Sequence, residues 1–73
     1  MILRKNTKKQ HYEYGTIIED IYVNKEDLPH RLDGPAIIRY NKETGKLIEE
    51  QYCINGKEYD EFEYWILAAI LNN

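Results

Sequence analysis

The sequence predicts an α+β fold: an antiparallel β-meander of about four strands with one C-terminal amphipathic helix packed on one face. Three observations predict it. Short runs rich in branched and aromatic residues alternate with turn residues, one eight-residue pattern occurs twice, and the C-terminal segment repeats apolar residues at helical spacing. A chain of 73 residues has room for one domain. We place that domain at residues 10–73, behind a basic N-terminal arm at residues 1–9.

The repeated pattern sets the order of the strands. Residues 15–22 (GTIIEDIY) align with residues 45–52 (GKLIEEQY), and the Gly, the second Ile, the first Glu and the Tyr are shared. A period of about thirty residues is typical of repeated supersecondary units. We therefore predict two strand-turn-strand units. Their strands should lie at residues 10–14, 16–24, 35–41 and 46–55.

Between the two units, the stretch from His30 to Ala36 (HRLDGPA) is predicted to form one sharp reversal. We expect the Asp33 carboxylate to accept a hydrogen bond from a nearby backbone N–H, Gly34 to take a positive φ, and Pro35 to fix the backbone that enters the next strand. His30 and Asp33 could act as an acid and a base, but no nucleophile lies at a recognisable spacing. The stretch thus indicates a structural turn, and we expect no enzyme.

This stretch, the apolar strand after it, the Gly-containing turn, the Asn-Gly-Lys turn and the last helix together resemble a MORN-variant repeat. Such repeats are found in small proteins of phages and other mobile elements. The resemblance covers roughly residues 28–71. The chain departs from the family pattern in having one full unit and in placing Tyr52 where a Trp is usual. The resemblance implies a meander used for binding, and it brings no catalytic residues to this chain.

Charge is divided unevenly along the chain. Residues 1–9 hold four basic residues and no acid, so the remainder has 13 acidic residues against the 6 basic ones left of 10, a net charge of −7. An acidic body repels phosphate, which argues against direct nucleic-acid binding. Four carboxylates are expected near the middle of two strands, where they could form an acidic patch: Glu19, Asp20, Glu49 and Glu50.

Cysteine usage and hydropathy argue against disulfide-bonded, zinc-binding and membrane-spanning classes of protein. Cys53 is the sole cysteine, so no internal disulfide can form, and no Cys/His spacing matches a zinc site. We expect no metal and no cofactor. No apolar run approaches the roughly 18 residues of a membrane span, and the start of the chain lacks the apolar core of a signal peptide. We therefore expect a cytoplasmic protein without a membrane partner, located in the host cell if the chain is phage-encoded.

The C-terminal segment is predicted to be a helix that is capped by Asp60 and ends at about Leu71. Asp60 and Glu63 have the spacing of a capping box. Five apolar residues recur at helical spacing and are expected to form one stripe that covers the sheet: Phe62, Trp65, Ile66, Ala69 and Ile70. Tyr64, Leu67 and Leu71 would then face away from the sheet. They would meet another chain or, alternatively, pack under the arm or the long loop.

These observations lead us to expect a non-enzymatic protein-binding module. In the narrower form that the resemblance implies, it is a small phage-type accessory protein that inhibits or modulates a host protein, such as a defence protein, by occupying its surface. The candidate partner-binding residues are Tyr64, Leu67, Leu71, Glu19, Asp20, Glu49, Glu50, His30 and Arg31. We also expect a homodimer through the helix, since so small a domain cannot bury every apolar helical residue by itself.

Two alternatives stay open. The first is an acidic inhibitor that mimics nucleic acid through the carboxylates of its sheet. The second is a small-ligand sponge in which Arg31, Arg39 and tyrosines from two subunits enclose an anionic nucleotide. The chain has seven tyrosines, and cross-strand packing is a sufficient structural reason for those that lie in strands.

Overall fold

A computed structural model describes residues 7–72. It has five strands followed by one helix: β1 Lys8–Tyr14, β2 Ile17–Val23, β3 Ile37–Asn41, β4 Leu47–Ile54, β5 Lys57–Tyr59 and α1 Glu61–Leu71. The strands form one sheet in sequence order, and each neighbouring pair is antiparallel. The α+β meander with a C-terminal helix is therefore confirmed, with one strand more than the four expected.

The additional strand, β5, follows from the turn at Asn55 and Gly56. Both turn residues have positive φ, 49° and 89°, which suits a tight two-residue hairpin loop. The pairing of Ile54 with Lys57 brings the chain straight back along β4. β5 ends at Tyr59, and the helix cap follows at once, so this hairpin places the start of α1 beside β4.

The edge strand β1 begins before the predicted domain boundary. It pairs with β2 from Lys8 opposite Val23 to Tyr14 opposite Ile17. Lys8 and Lys9, which we had assigned to the basic arm, therefore belong to the sheet. Residues 1–6 of the predicted arm lie outside the residues that the structure describes.

The long connection between β2 and β3 is held at the backbone level. Val23 forms an isolated bridge with Pro29. The His30 N–H donates to the Tyr22 carbonyl at 2.8 Å, and the Arg31 N–H donates to the Cys53 carbonyl at 3.1 Å. This segment thus lies between β2 and β4 at the end of the sheet where β3 has not yet begun.

Within residues 7–72, six of the eight buried apolar residues form two small clusters. One contains Ala36, Ile37 and Cys53, with Ile21 packed against it. The other joins the helix to β4 and β5, and its members are Ile54, Tyr64 and Ala68 with Leu32, Tyr52, Tyr59 and Leu67 around them. The helix therefore covers the β4–β5 end of the sheet. Within residues 7–72, no helix is long and apolar enough to cross a membrane.

Candidate protein-binding surface

The start of α1 is fixed by its cap. Asp60 has extended backbone angles, and its Oδ1 accepts a hydrogen bond from the Glu63 N–H at 2.9 Å. This bond satisfies one of the N–H groups that a helix start leaves without a partner. The predicted cap is therefore confirmed.

The apolar stripe of the helix is turned away from the sheet. We call Phe62, Trp65, Ile66, Ala69 and Ile70 the outward stripe. Its large members are exposed by 79% at Phe62, 44% at Trp65, 49% at Ile66 and 62% at Ile70. The spacing of the stripe was predicted, but the prediction that it covers the sheet is wrong.

The opposite side of the helix fills the core. Tyr64 is fully buried, Ala68 is almost so, and Leu67 packs partly buried against the same cluster. The prediction that Tyr64 faces a partner is therefore wrong, and Leu67 is largely engaged within the chain. Leu71 is 53% exposed, so among these three candidates it is the most accessible.

Tyr64 explains this rotation of the helix. Its hydroxyl lies 2.5 Å from the Arg31 carbonyl and 2.8 Å from the Gly34 carbonyl, so its single proton can be donated to either oxygen. The hydroxyl also accepts a hydrogen bond from the Gly34 N–H at 3.2 Å. Burial raises the pKa of Tyr64, which keeps the hydroxyl protonated as a donor. Near the C-terminal end, Asn72 Nδ2 donates to the Leu32 carbonyl at 3.0 Å.

The His30–Ala36 stretch thus provides the polar contacts that hold the helix against the domain. Its arginine, Arg31, stacks its guanidinium on the Tyr22 ring at 4.0 Å, and donates from Nε to Asp33 Oδ1 at 2.9 Å and from Nη1 to the Pro35 carbonyl at 3.1 Å. Asp33 accordingly accepts from a side chain, where we had expected a backbone N–H. The predicted positive φ at Gly34 is also wrong. Glycine is needed there for space, because a Cβ would lie 3.2 Å from the Arg31 Cζ.

His30 connects the same stretch to the turn at Asn55. Its Nδ1 accepts the Asn55 N–H at 2.9 Å, and burial lowers the pKa of its imidazole. It lines a depression of about 220 Å³ together with Asn24, Lys25, Glu26 and Asn55. The Asn24 amide in that depression already bonds the Glu26 and Leu28 N–H groups and the Asn55 side chain. His30 and Arg31 were both predicted to bind a partner, but His30 Nδ1 and the Arg31 guanidinium bond groups within the chain.

The four candidate carboxylates do not form a single patch. Glu19 is only 8% exposed and accepts a bond from Arg39 Nε at 2.6 Å. The pairing of Glu19, Arg39 and Glu49 in one row across β2, β3 and β4 lets the same guanidinium bond Glu49 through Nη1. The bond to Glu19, followed by the one to Glu49, raises the pKa of Arg39, while bonds from Gln51 and Arg39 lower the pKa of Glu49.

Asp20 is likewise buried and paired, on the opposite sheet face from Glu19. Its Oδ1 bonds His11 Nδ1 at 2.6 Å, and Lys9 Nζ lies 3.9 Å from its Oδ2. The bond to Asp20, followed by a bond to Glu13, raises the pKa of His11. The expectation of an exposed acidic patch is therefore wrong for Glu19 and Asp20.

Several carboxylates that form no ion pair lie near the start of the outward stripe. Ion pairs among residues 7–72 involve Glu13, Glu19, Asp20, Asp33 and Glu49. No ion pair within that range involves Glu50 of β4, Glu58 of β5, or Asp60, Glu61 and Glu63 at the helix start. Glu50 and Glu61 both lie close enough to Tyr52 to reinforce the raised pKa that burial gives its hydroxyl. These five are the majority of the eight carboxylates without an ion pair in residues 7–72, and the other three, Glu26, Asp27 and Glu43, lie in loops.

Trp65 is a fixed part of the outward stripe. Its ring meets the Tyr64 ring edge-on, with centroids 5.0 Å apart, and the Tyr52 ring at 6.1 Å. These contacts hold the indole in place although nearly half of it is exposed. An aromatic side chain that is already ordered loses little entropy on binding, which is a property of interface anchors.

Other exposed apolar residues lie elsewhere on the sheet. Leu47 and Ile48 are 53% and 51% exposed, at the end of β4 away from the residues that contact the helix. Tyr12 and Tyr14 of β1 stack with centroids 6.3 Å apart. These pairs are smaller than the outward stripe, and they provide matched control positions for it.

The part of the chain that the structure describes shows no metal-ligand cluster and no activated thiol. Residues 7–72 contain no group of three or more His, Cys, Asp or Glu placed to hold a metal ion. Cys53 is buried, and burial raises the pKa of its thiol, which disfavours the nucleophilic thiolate. Comparison with protein-family models, with curated proteins and with solved structures gives no match for this chain. The resemblance to MORN-variant repeats stays a prediction.

Proposed function

We propose that the protein is a non-enzymatic binding module whose outward stripe docks on another protein. The observation that carries this proposal is the exposure of four large apolar side chains along one side of a helix that the domain holds firmly. Phe62 and Trp65 alone leave roughly 200 to 300 Å² of aromatic surface in water. Contiguous apolar patches of this kind mark interaction sites on small domains.

The narrower proposal concerns the partner. The resemblance of residues 28–71 to MORN-variant repeats supports a small accessory protein of phage type that acts in the cytoplasm of a host cell. Its target would be a host protein, including a defence protein, whose surface the outward stripe occupies. Because binding alone blocks a surface, this role needs no catalytic residue.

The two alternative functions receive less support from the side-chain contacts. A nucleic-acid mimic needs carboxylates lined up on one exposed face, whereas Glu19 and Asp20 are buried and paired. A nucleotide sponge needs free guanidinium groups, whereas Arg31 and Arg39 both bond groups within the chain. The homodimer expected through the helix would have to use the outward stripe, because Leu67 packs against the core, and the charge around the stripe argues against that pairing.

A photo-crosslinking experiment tests the proposal. A benzoylphenylalanine placed at Phe62, the most exposed member of the stripe, should crosslink one defined protein in cells that carry the gene. Ile66→Asp should abolish the adduct. Ile48→Asp is the matched control, since Ile48 and Ile66 are exposed to the same degree, 51% and 49%, and it should leave the adduct unchanged.

Circular dichroism would confirm that both aspartate variants remain folded. The proposal is wrong if position 62 gives no protein adduct, or if Ile66→Asp and Ile48→Asp affect the adduct equally. A crosslinker at Leu47 gives the corresponding control for position, and it should yield no such adduct.

A further inference from the structure

The shape of the outward stripe limits what can cover it. α1 has 11 residues and is therefore about 16 Å long, or three turns. Phe62 and Ile70, at its two ends, project furthest into solvent, with Trp65 and Ile66 between them. A convex row of side chains of this length fits the groove between the ridges of another helix.

The charge around the stripe limits the partner further. Asp60, Glu61 and Glu63 surround its start, and Glu58 lies two residues before Asp60 on β5. The segment 61–71 contains no basic residue at all. A partner that covers the stripe must therefore approach several carboxylates that no cation within residues 7–72 neutralises in an ion pair.

The α1 helix of a second copy does not supply the missing charge. If two α1 helices packed in parallel, their acidic starts would lie side by side. If they packed antiparallel, each acidic start would meet the last turn of the other helix, which has no basic residue. The carbonyl groups at that end carry partial negative charge, so this arrangement is also unfavourable.

We propose that the occupant of the outward stripe is an amphipathic helix of a different protein, with an apolar face flanked by Lys or Arg. Its apolar face covers Phe62, Trp65, Ile66 and Ile70, and its cations pair with Glu61 and Glu63. This inference rests on the proposed function and specifies the chemistry of the partner. Packing supplies the affinity, and the charges select the partner and its orientation.

Two synthetic helical peptides test this inference. Both carry the same stripe of leucines, and one is flanked by lysines while the other is flanked by glutamates. Fluorescence anisotropy with the full chain should show the lysine peptide binding at least about tenfold more tightly, with an affinity that falls as salt is added. Equal binding of the two peptides, or no binding of either, would overturn the inference.

Variants of the chain separate the stripe from general acidity. Ile66→Ser should abolish binding of the lysine peptide, and the equally exposed Ile48→Ser should leave it unchanged. Glu61→Gln with Glu63→Gln should weaken the lysine peptide severalfold and reduce its salt dependence. If neither Ile66→Ser nor Ile48→Ser weakens binding, the peptide binds through charge alone, and if both weaken it equally, the stripe is not its specific site; either result would show that the inference is wrong.

Sedimentation equilibrium of the chain alone tests whether a second copy covers the outward stripe. We expect a monomer of 8.8 kDa. A dimer that Ile66→Ser dissociates would assign the stripe to a second copy and overturn this choice of partner. The crosslink at position 62 separates the two proposals: if it persists while the peptides fail, only the partner chemistry is wrong, and if it is absent, the proposed function fails as well.

Discussion

Replacing Tyr64 with phenylalanine removes one oxygen atom and tests how the helix is held. The ring remains in the core, so packing against Tyr52 and Trp65 is preserved. What is lost is the hydroxyl that accepts from the Gly34 N–H and donates to the carbonyls of Arg31 and Gly34. The variant therefore isolates the polar contact from the apolar one.

The expected loss can be worked out from these contacts. Gly34 is buried, and its N–H would have no other partner within hydrogen-bonding distance in the described structure. A buried polar group left without a partner costs about 1 to 3 kcal/mol, and at least one carbonyl is affected together with this N–H. We expect Tyr64→Phe to lower the free energy of unfolding by about 2 to 4 kcal/mol. In a domain of this size, that loss lowers the melting temperature by about 10 °C or more.

Urea unfolding followed by tryptophan fluorescence measures the loss, because Trp65 lies against Tyr64. Tyr12→Phe is the control, since its exposed hydroxyl donates to the Gln10 side chain at 3.0 Å. Removing that surface bond should change stability by less than about 0.5 kcal/mol. If the two variants are equally stable, the Tyr64 hydroxyl does not hold the helix and our explanation of its rotation fails.

Three further predictions address the cap, the glycine and the histidines. Asp60→Ala should lower the free energy of unfolding by about 0.5 to 2 kcal/mol in urea titrations, and Asp60→Asn should retain most of it. Gly34→Ala should destabilise the fold because its Cβ crowds the Arg31 guanidinium, and in a double-mutant cycle it should cost less in the Arg31→Ala background; additive effects would contradict this. The raised pKa of His11 gives stability that is present below its ordinary pKa of 6.5 and lost as pH rises through the raised value. The lowered pKa of His30 gives the opposite slope. Between about pH 5.5 and 8, the stability of His11→Gln relative to the wild type should therefore rise with pH, and that of His30→Gln relative to the wild type should fall, while relative slopes of the same sign would contradict both assignments.

The strands could be predicted from the sequence because their signals are local. The four predicted strands differ from β1 to β4 by at most two residues at either end. Turn residues set these limits: Asn41 Oδ1 accepts the N–H groups of Glu43 and Thr44, and Gly45 follows with a φ of 73°. β5 was missed because three residues are too few for a period-two pattern to be recognised.

The burial of the carboxylates could not be predicted in the same way. Whether Glu19 meets a cation depends on which residue of β3 lies opposite it, and that residue is Arg39. The register of β2 against β3 depends on the length of the connection between these strands and on its backbone contacts. In that connection, residues 29–31 bond to β2 and β4. A count of charges along the chain gives the net charge of the body, but it does not separate paired carboxylates from unpaired ones.

The main error of the sequence prediction was the face of α1 that packs on the sheet, and its cause is physical. Helical spacing identifies an apolar stripe, but both sides of α1 are apolar, so periodicity alone does not decide which side meets the sheet. One signal was present in the sequence. Tyr64 stands on the side opposite the stripe, and a tyrosine that is buried needs a partner for its hydroxyl, which the carbonyls of the nearby turn provide.

Apolar area alone would favour the opposite rotation of the helix. Burying side chains as large as Phe62 and Ile70 contributes about 1.5 to 3 kcal/mol each when the burial is complete, and the observed arrangement leaves both mostly in water. The observed rotation instead satisfies the buried Gly34 N–H and places the small Ala68 against the sheet side of the helix, where α1 can lie close to β4. Polar contacts in the His30–Ala36 stretch thus determine which helix face is buried, and the exposed stripe follows from them. The same contacts that stabilise the fold therefore keep an apolar surface available for a partner.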